Sequence, residues 1–429
     1  MAVTTTWRIE VGYYDNGTTF STTDFTSRTL GLTVDHFTDL GVIGTGQAVI
    51  TLDNNDGALT PGAGGTYSST SWFERALLIY CDVAGGGSGT AAKVFAGIID
   101  DFQVDDDGIT STVTIAAVDV LQTASRQQVQ TGLTSVTQTS PMTAIRTLVD
   151  PSESYNDTVM PNFGETANPN GNVSVFLASP STTRTVKLIQ TDLSAGPIGD
   201  YLANHVVTCG LTAVWPAGFD DNTGHQQIFV VENAQRTDSR TYQFAENPTG
   251  AEMPYRNLER GYALDQLTTA ARLERLETGT VETQTSSQAK FGSRLREYVT
   301  ASDSTVDTAF DAFHWVQRFA NPRYSSTRLQ VTAAMIEERL PDAQFLKWVD
   351  LLTAQYGIYT GATVEFTPAG RPSAITDTTV VIGRTIKASP ADTTVTLTLR
   401  PSIDYGTFTL DSAALGIIGI NRLGGSGTT

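Results

Sequence analysis

Val49-Ile50-Thr51-Leu52-Asp53-Asn54-Asn55-Asp56-Gly57, followed by Thr60-Pro61, is the stretch on which the reading of this chain turns. From Gln47 to Leu52 polar and apolar residues alternate, the period of a strand with one buried face. Asp53 to Gly57 then supplies turn-forming side chains, and Gly57 can take positive φ without a Cβ penalty. The pattern recurs on both sides. Trp7 to Val11 alternates and meets Asp15-Asn16-Gly17, while Ala76 to Cys81 is an apolar run suited to a strand covered on both faces. Gly85-Gly86-Gly87-Ser88-Gly89 reads as a loop tip, Val94 to Val104 as the returning strand, Asp105-Asp106-Asp107-Gly108 as a turn and Ser111 to Val118 as another strand. Strands this short and this closely spaced predict a small barrel or sandwich.

The middle of the chain differs. A short helix is expected over Pro141 to Leu148 and a second over Pro197 to Cys209, where Ile198, Tyr201, Leu202, Val206 and Cys209 share a face and Gly210 stops it. Residues 151–185 read as loops with weak strands, and Gln227 to Val231 as a strand. The clearest helix spans 303–321, capped by Asp303 or Ser304 and ended by Asn321-Pro322, with Val306, Phe310, Phe313, Val316 and Phe319 at helical spacing. Another follows from Asp342 to Tyr356. From Thr363 to Phe408 strands return: Val364 to Phe366, Thr379 to Gly383 and Thr394 to Leu399. This order predicts two barrel-like units with a mixed unit between them.

Composition bounds the function. With 40% hydrophobic and 17% charged residues over 429 positions, the chain is neither disordered nor a long-helix protein. Its net charge of −18, with 27 Lys and Arg against 45 Asp and Glu, repels phosphate and argues against a sequence-reading DNA binder. Cys81 and Cys209 are too few and too far apart for a disulfide framework or a zinc site and read as buried thiols. The N-terminus has no apolar signal core and the longest apolar runs are far shorter than a membrane span, so synthesis in the cytoplasm is expected.

No catalytic, cofactor or metal residue is assigned. A calcium loop with Gly108 at its sixth position would begin at Gln103 and end at Thr114, so both ends fail, and Gly57 sits one position too early in its own loop. Hairpin turns account for both segments. His36, His205, His225 and His314 form no ligand-spaced pair. There is no nucleophile elbow, phosphate loop or dinucleotide fingerprint. Asp100-Asp101 and Glu337-Glu338 are neighbours in sequence, which does not set two carboxyl groups across a cleft.

Several segments resemble the hub proteins at the tail tip of long flexible-tailed phages. Val49 to Gly57 with Thr60-Pro61 is similar to that family's strand, Leu-Asp-Asn-x-Asp-Gly and Thr-Pro element. Phe95-Ala96-Gly97-Ile98-Ile99-Asp100 resembles its Phe-x-Gly-x-Ile-Asp strand, and Ala117-Val118-Asp119-Val120-Leu121 its Ala-x-Asp-x-Leu strand end. Phe291-Gly292-Ser293-Arg294 resembles the Tyr/Phe-Gly-x-Arg element, and Phe408 to Asp411 with Leu415-Gly416 the closing strand and tail. These segments occur in the family's order.

The resemblance implies a mainly β fold with an α+β insertion: two tail-tube-like β-barrels, the second discontinuous, and a lower mixed domain. The first barrel is placed at 1–127, the lower domain at 128–258 and 303–361, the second barrel at 259–302 and 362–411, and a C-terminal tail at 412–429. Leu264 to Leu276 scores as an amphipathic helix, but the family pattern makes it a strand and is followed here. The implied function is structural, with no enzyme activity and no cofactor: a homotrimeric ring adapting a six-fold tail tube or distal tail ring to three-fold tip components. Further implied partners are the tape-measure protein and fibre or receptor-binding proteins, with DNA only in transit and no membrane span. Its place would be the tail tip of the virion, and its acidic turns, Asp105 to Asp107 among them, candidates for the conduit wall. The alternatives are a tail-associated cell-wall hydrolase, which the short stretch after Asp411 leaves little room for, and a receptor-binding tail protein.

Overall fold

The computed structural model describes residues 4–15, 19–39, 43–67, 72, 75–84, 92–119, 121–122, 126, 174–177, 197–203, 213–219, 226–231, 241–250, 252–262, 267–276, 278–285, 293–302, 305–319, 324–337, 348, 350–352, 361–370 and 372–401. The described chain is mostly strand. The first seven strands are β1 (Thr4–Asp15), β2 (Thr19–Asp24), β3 (Thr29–Phe37), β4 (Thr45–Asp53), β5 (Ala76–Ala84), β6 (Ala92–Asp106) and β7 (Ser111–Val118). They lie side by side in the order β3-β4-β7-β6-β5-β1-β2. Alternation decides their faces: in β4, Ala48, Ile50 and Leu52 are buried while Thr45, Gln47 and Val49 are exposed. One face of β4 is therefore Ala, Ile and Leu, and the other Thr, Gln and Val.

Between the outer elements lie β8 (Ser174–Leu177), the one-turn helix α1 (Ile198–Tyr201), β9 (Ala213–Phe219) and β10 (Gln226–Val231), whose strands form a separate sheet in the order β8-β10-β9. The chain continues through β11 (Thr241–Ala245), β12 (Met253–Pro254), β13 (Arg256–Tyr262), β14 (Ala270–Arg275), β15 (Val281–Thr285), β16 (Leu295–Thr300) and α2 (Thr305–Phe319). It ends with β17 (Tyr324–Thr332), α3 (Ala333–Glu337), β18 (Gly361–Phe366), β19 (Ile375–Ala388) and β20 (Thr393–Pro401). Strands β14, β15 and β16 form a second small sheet that packs on α2. Tyr298 stacks on Trp315 there, with ring centroids 4.4 Å apart.

The remaining strands make a second seven-stranded unit. Its neighbours run β13-β17-β20-β19-β18-β11-β12. Position by position this matches β3-β4-β7-β6-β5-β1-β2, and the chain visits both sets in the same sequence. Bulges coincide too: the β6–β7 register slips between Ile99 and Asp101, and the β19–β20 register between Val381 and Gly383. The match has two breaks of sense, both at β11: β1 pairs antiparallel with β5 and β2, whereas β11 pairs parallel with β18 and β12.

Strand β19 joins the units. Its first half pairs with β18 and its second half with β3, while β20 lies along its other edge. All fourteen strands thus belong to one sheet. Their apolar faces share one core, from Ile9, Ile50 and Phe95 to Leu329, Trp348 and Leu397. Trp7 of β1 donates its indole N–H to Thr393 Oγ1 at 3.2 Å, tying the curled sheet to the β19–β20 turn.

The fold is mainly β with a mixed insertion, as expected. Each unit is an open curled sheet among the described residues, with edges at β2, β12 and β13. Sheet membership crosses the expected domain boundaries. Strands β11, β12 and β17, expected in the lower domain, join the large sheet, and β14 to β16, expected in the second barrel, stand apart from it. Residues 270–275 are a strand as the family pattern implied, because Ala270, Ala271 and Leu273 are buried under α2 and its sheet partners hold both edges. The expected helix over 303–321 is present as α2, and where described its buried residues are Thr308, Asp311, Ala312, Trp315 and Val316, with Phe313 half-buried. Of the other expected helices, 197–209 is described only through α1 and the residues after it to 203, 342–356 is helical at 348 and 350–352, and 141–148 lies outside the described residues.

Candidate functional site

The seam between the units is the most chemically dense place in the described molecule. Gly383 lies opposite Phe37 in the β3–β19 register, Arg384 opposite His36 and Thr385 opposite Asp35. A Cβ on Gly383 would meet Thr398 Cβ at 3.2 Å and the His36 carbonyl at 3.3 Å, so a side chain here would press on its neighbours and glycine suits the close approach of the strands. Arg384 points inward and is buried. Its Nη1 donates to the carbonyls of Leu351 and Leu352 at 3.1 and 2.9 Å, and its Nη2 lies 3.3 Å from His36 Nδ1. A guanidinium has no acceptor, so His36 Nδ1 accepts and its proton sits on Nε2. Burial, then the Arg384 charge, pushes the His36 pKa down to about 3, so the ring is neutral.

Asp119 closes the other side. It is buried, accepts the amides of Gly46 and of Gln122, the latter at 2.6 Å, and donates its own amide to the Gly46 carbonyl. Burial pushes its pKa up to about 7 despite these bonds. A Cβ on Gly46 would come within 2.9 Å of Asp119 Oδ2 and 3.2 Å of His36, so this side chain pair occupies the space that Gly46 leaves. Above the cluster lies a cavity of about 280 Å³, lined by Asp35, His36, Gln47, Arg328 and Thr398 among others. Its walls carry hydroxyl, amide, guanidinium, carboxylate and imidazole groups, a polar lining suited to hydrogen bonding.

The stretch that opens the sequence reading is a clasp. Asn54 is fully buried: its Nδ2 donates to Thr60 Oγ1 and Ser111 Oγ at 2.8 and 3.0 Å, and its Oδ1 accepts the Leu59 amide at 2.8 Å. Arg28 grips both oxygens of Asp56, and this guanidinium holds the Asp56 carboxyl down at about 2. Gly57 has φ +68°, as expected of its turn. The expected hairpin is corrected: β4 is flanked by β3 and β7, so residues 54–75 cross to β5 rather than turn back beside β4. Asp107 to Thr110, by contrast, does close a hairpin, with Asp107 Oδ1 accepting the amides of Ile109 and Thr110. Ile109 stands at its tip, 90% exposed.

The other singled-out residues are dispersed. Asp100 is held by Arg126 and Asp101 accepts the Phe102 amide. Among the described residues no three His, Cys, Asp or Glu side chains converge as metal ligands. Cys81 is buried, and burial pushes its thiol up to about 12. His314 lies on α2, Glu337 ends α3, and Cys209, His205, His225 and Glu338 lie outside the described residues. No described helix is long and apolar enough to cross a membrane.

No protein-family model matches the chain, and no curated protein matches it in sequence. Solved structures do. A tail protein from Neisseria meningitidis superposes with a TM-score of 0.56 at 10% identity, over 92% of this chain and 97% of its own. The 43 kDa tail protein of prophage MuSo2 from Shewanella oneidensis gives 0.52 at 12% identity, over 91% and 97%. The chain has the fold of phage tail proteins.

Within this tail-protein fold, His36, Gly46, Asp119, Gly383 and Arg384 are the residues that reading the sequence did not bring together. Asp119 carried a signal, as the polar residue inside the Ala-x-Asp-x-Leu strand end. Arg384 carried one too, as the only charge within Val380 to Ile386.

Proposed function

We propose that the chain is a structural hub of a phage tail tip, assembled as a ring of three. The observation that carries this reading is the internal duplication: two seven-stranded units of one strand order, fused edge to edge in a tail-protein fold. Three chains would present six such units, which suits a six-fold tube on one side and a three-fold object on the other. The solvent face of β17, β20, β19, β3, β4, β7 and β6 is then the wall of the conduit. It carries Thr33, Thr45, Thr51, Thr114, Thr385 and Thr396, with Asp35, Asp101 and Asp105 interspersed with Arg328 and Lys387. Hydroxyl groups of this kind let a duplex slide without the counterion release that makes basic surfaces adhesive. The acid excess of the chain is not concentrated on these strands and serves solubility elsewhere. Tape-measure, tube and fibre proteins would be the partners, and the virion tail tip the location.

Light scattering on the full chain tests this. A closed ring gives three times the 45.9 kDa chain mass. A six-chain ring or a monomer at every concentration would overturn it, and cell-wall lysis on a zymogram would favour the hydrolase reading instead.

A further inference from the structure

We infer that the ring closes by pairing the second half of β6 in one copy with β13 of the next, in the register that β19 and β3 use inside the chain. This rests on the ring reading above and adds the surface through which copies meet. Ile98 pairs with Ala76 on one edge of β6 and with Val118 on the other. Beyond it, Phe102 to Asp106 pairs with β7 alone among the described strands. Strand β13 pairs only with β17 among the described strands. In the matched strand order β6 corresponds to β19 and β13 to β3, and β19 fills this same half-edge with β3.

Aligning the two bulges sets Gln103 at the place of Thr385, Val104 at that of Ile386 and Asp105 at that of Lys387. The β17 and β4 registers likewise set Glu259 at the place of Thr33 and Gly261 at that of Asp35. The junction therefore opposes Asp105 to Glu259 and Gln103 to Gly261. Faces agree: Asp105 and Glu259 are exposed, as Lys387 is, while Val104 and Leu258 pack against the core, as Ile386 and Leu32 do. An open edge of this length is a standing template for another strand, and a second copy is the occupant whose matching edge the chain itself carries. The opposed carboxylates weaken this junction relative to the internal seam, so it forms at higher concentration.

Asp105→Cys with Glu259→Cys in one chain tests the pairing. Seven strand steps separate β6 from β13 within a chain, about 34 Å along the sheet at the usual spacing, too far for an internal disulfide. Oxidation should give covalent dimers and trimers on a non-reducing gel, with neither single variant doing so. The internal pair Asp35→Cys with Thr385→Cys should close within one chain and confirms that the oxidant works. A trimer by mass, with the internal pair closed but no chains joined through the first pair, would overturn the edge assignment and leave the ring standing; a monomer by mass would overturn both. Hydrogen exchange on the unmodified chain gives a second readout: amides of Phe102 to Asp106 should gain protection on assembly, and no gain would overturn the pairing. Glu259→Arg should lower the half-assembly concentration about two- to fivefold by replacing repulsion with attraction, and no change would count against the register.

Discussion

The two seven-stranded units share a strand order and differ in how they fill the step from their second strand to their fifth. In the first unit the described residues of this step, 54–67, 72 and 75, form no helix or strand; Asn54 clasps them, and Trp72 stacks on Phe102 with centroids 5.0 Å apart, beside Phe25 and Tyr67. In the second unit the same step contains α3 and the helical residues Trp348, Leu351 and Leu352, all three buried. Both steps bury an indole in the shared core, one from a loop and one from a helix. The comparison teaches that the strands are constrained and the connections are not. A strand must alternate to cover its neighbours, whereas a connection needs only to bring apolar volume and satisfy its own backbone.

The largest test removes that volume. Trp348→Ala and Trp72→Ala should each cost about 3–5 kcal/mol, because both indoles are buried in the core. Both should leave a single denaturant transition, since one core spans the units; two separated transitions would show that the units are independent. Next comes Arg384→Met, which removes the donor to two buried carbonyls of the second unit's helix and should cost about 2–4 kcal/mol. Its counterpart in the first unit, Asn54→Ala, leaves the Leu59 amide and Ser111 without their partner and should cost about 1–3 kcal/mol by chemical denaturation.

The seam also makes stability depend on pH. His36 has its folded pKa pushed below 6.5 to about 3, so the unfolded chain binds the extra proton between those values and stability falls as pH drops through that window. Asp119 has its folded pKa raised from 3.8 to about 7, so the folded chain binds the extra proton and stability falls as pH rises from near 4 to 7. The two slopes oppose each other where they overlap, each at most about 1.4 kcal/mol per pH unit. His36→Gln should therefore unmask a steady loss of stability from pH 4 to 7, and Asp119→Asn a steady gain. Unchanged profiles in both variants would mean that the seam does not titrate on unfolding.

The smallest effect belongs to the clasp turn. No atom lies within 4 Å of a Cβ built on Gly57, so Gly57→Val is opposed by φ alone and should cost about 1 kcal/mol or somewhat more. Chelators should leave the melting temperature unchanged, because protein amides already satisfy the carboxylates of this loop.

Much of the fold was legible. Alternation marked β1, β4, β7 and β20, the apolar run marked β5, and Gly108 marked a hairpin, because each of these signals is local. The strand at 270–275 was not legible from its own residues. Its amphipathic pattern suits a helix, and only pairing with β15 and β16 under α2 makes it a strand. The clasp was half legible. Its turn residues announced the positive φ of Gly57, but nothing near Asn54 in sequence points to Ser111, 57 positions away.

The amino-acid order by itself determined which residues face the core, where the chain turns, and that the chain carries a net charge of −18, which repels phosphate. These follow from periodicity, φ preference and net charge, all properties of neighbouring residues or of a sum. Only the tertiary structure decided that β3 meets β19, that Arg384 and His36 share one buried space, and that the two units follow one strand order. Those depend on which edges meet, and edge pairing through backbone hydrogen bonds is nearly blind to side-chain identity. It is set by the alternation on every strand at once and by the space left at Gly46 and Gly383, which no single stretch of sequence encodes.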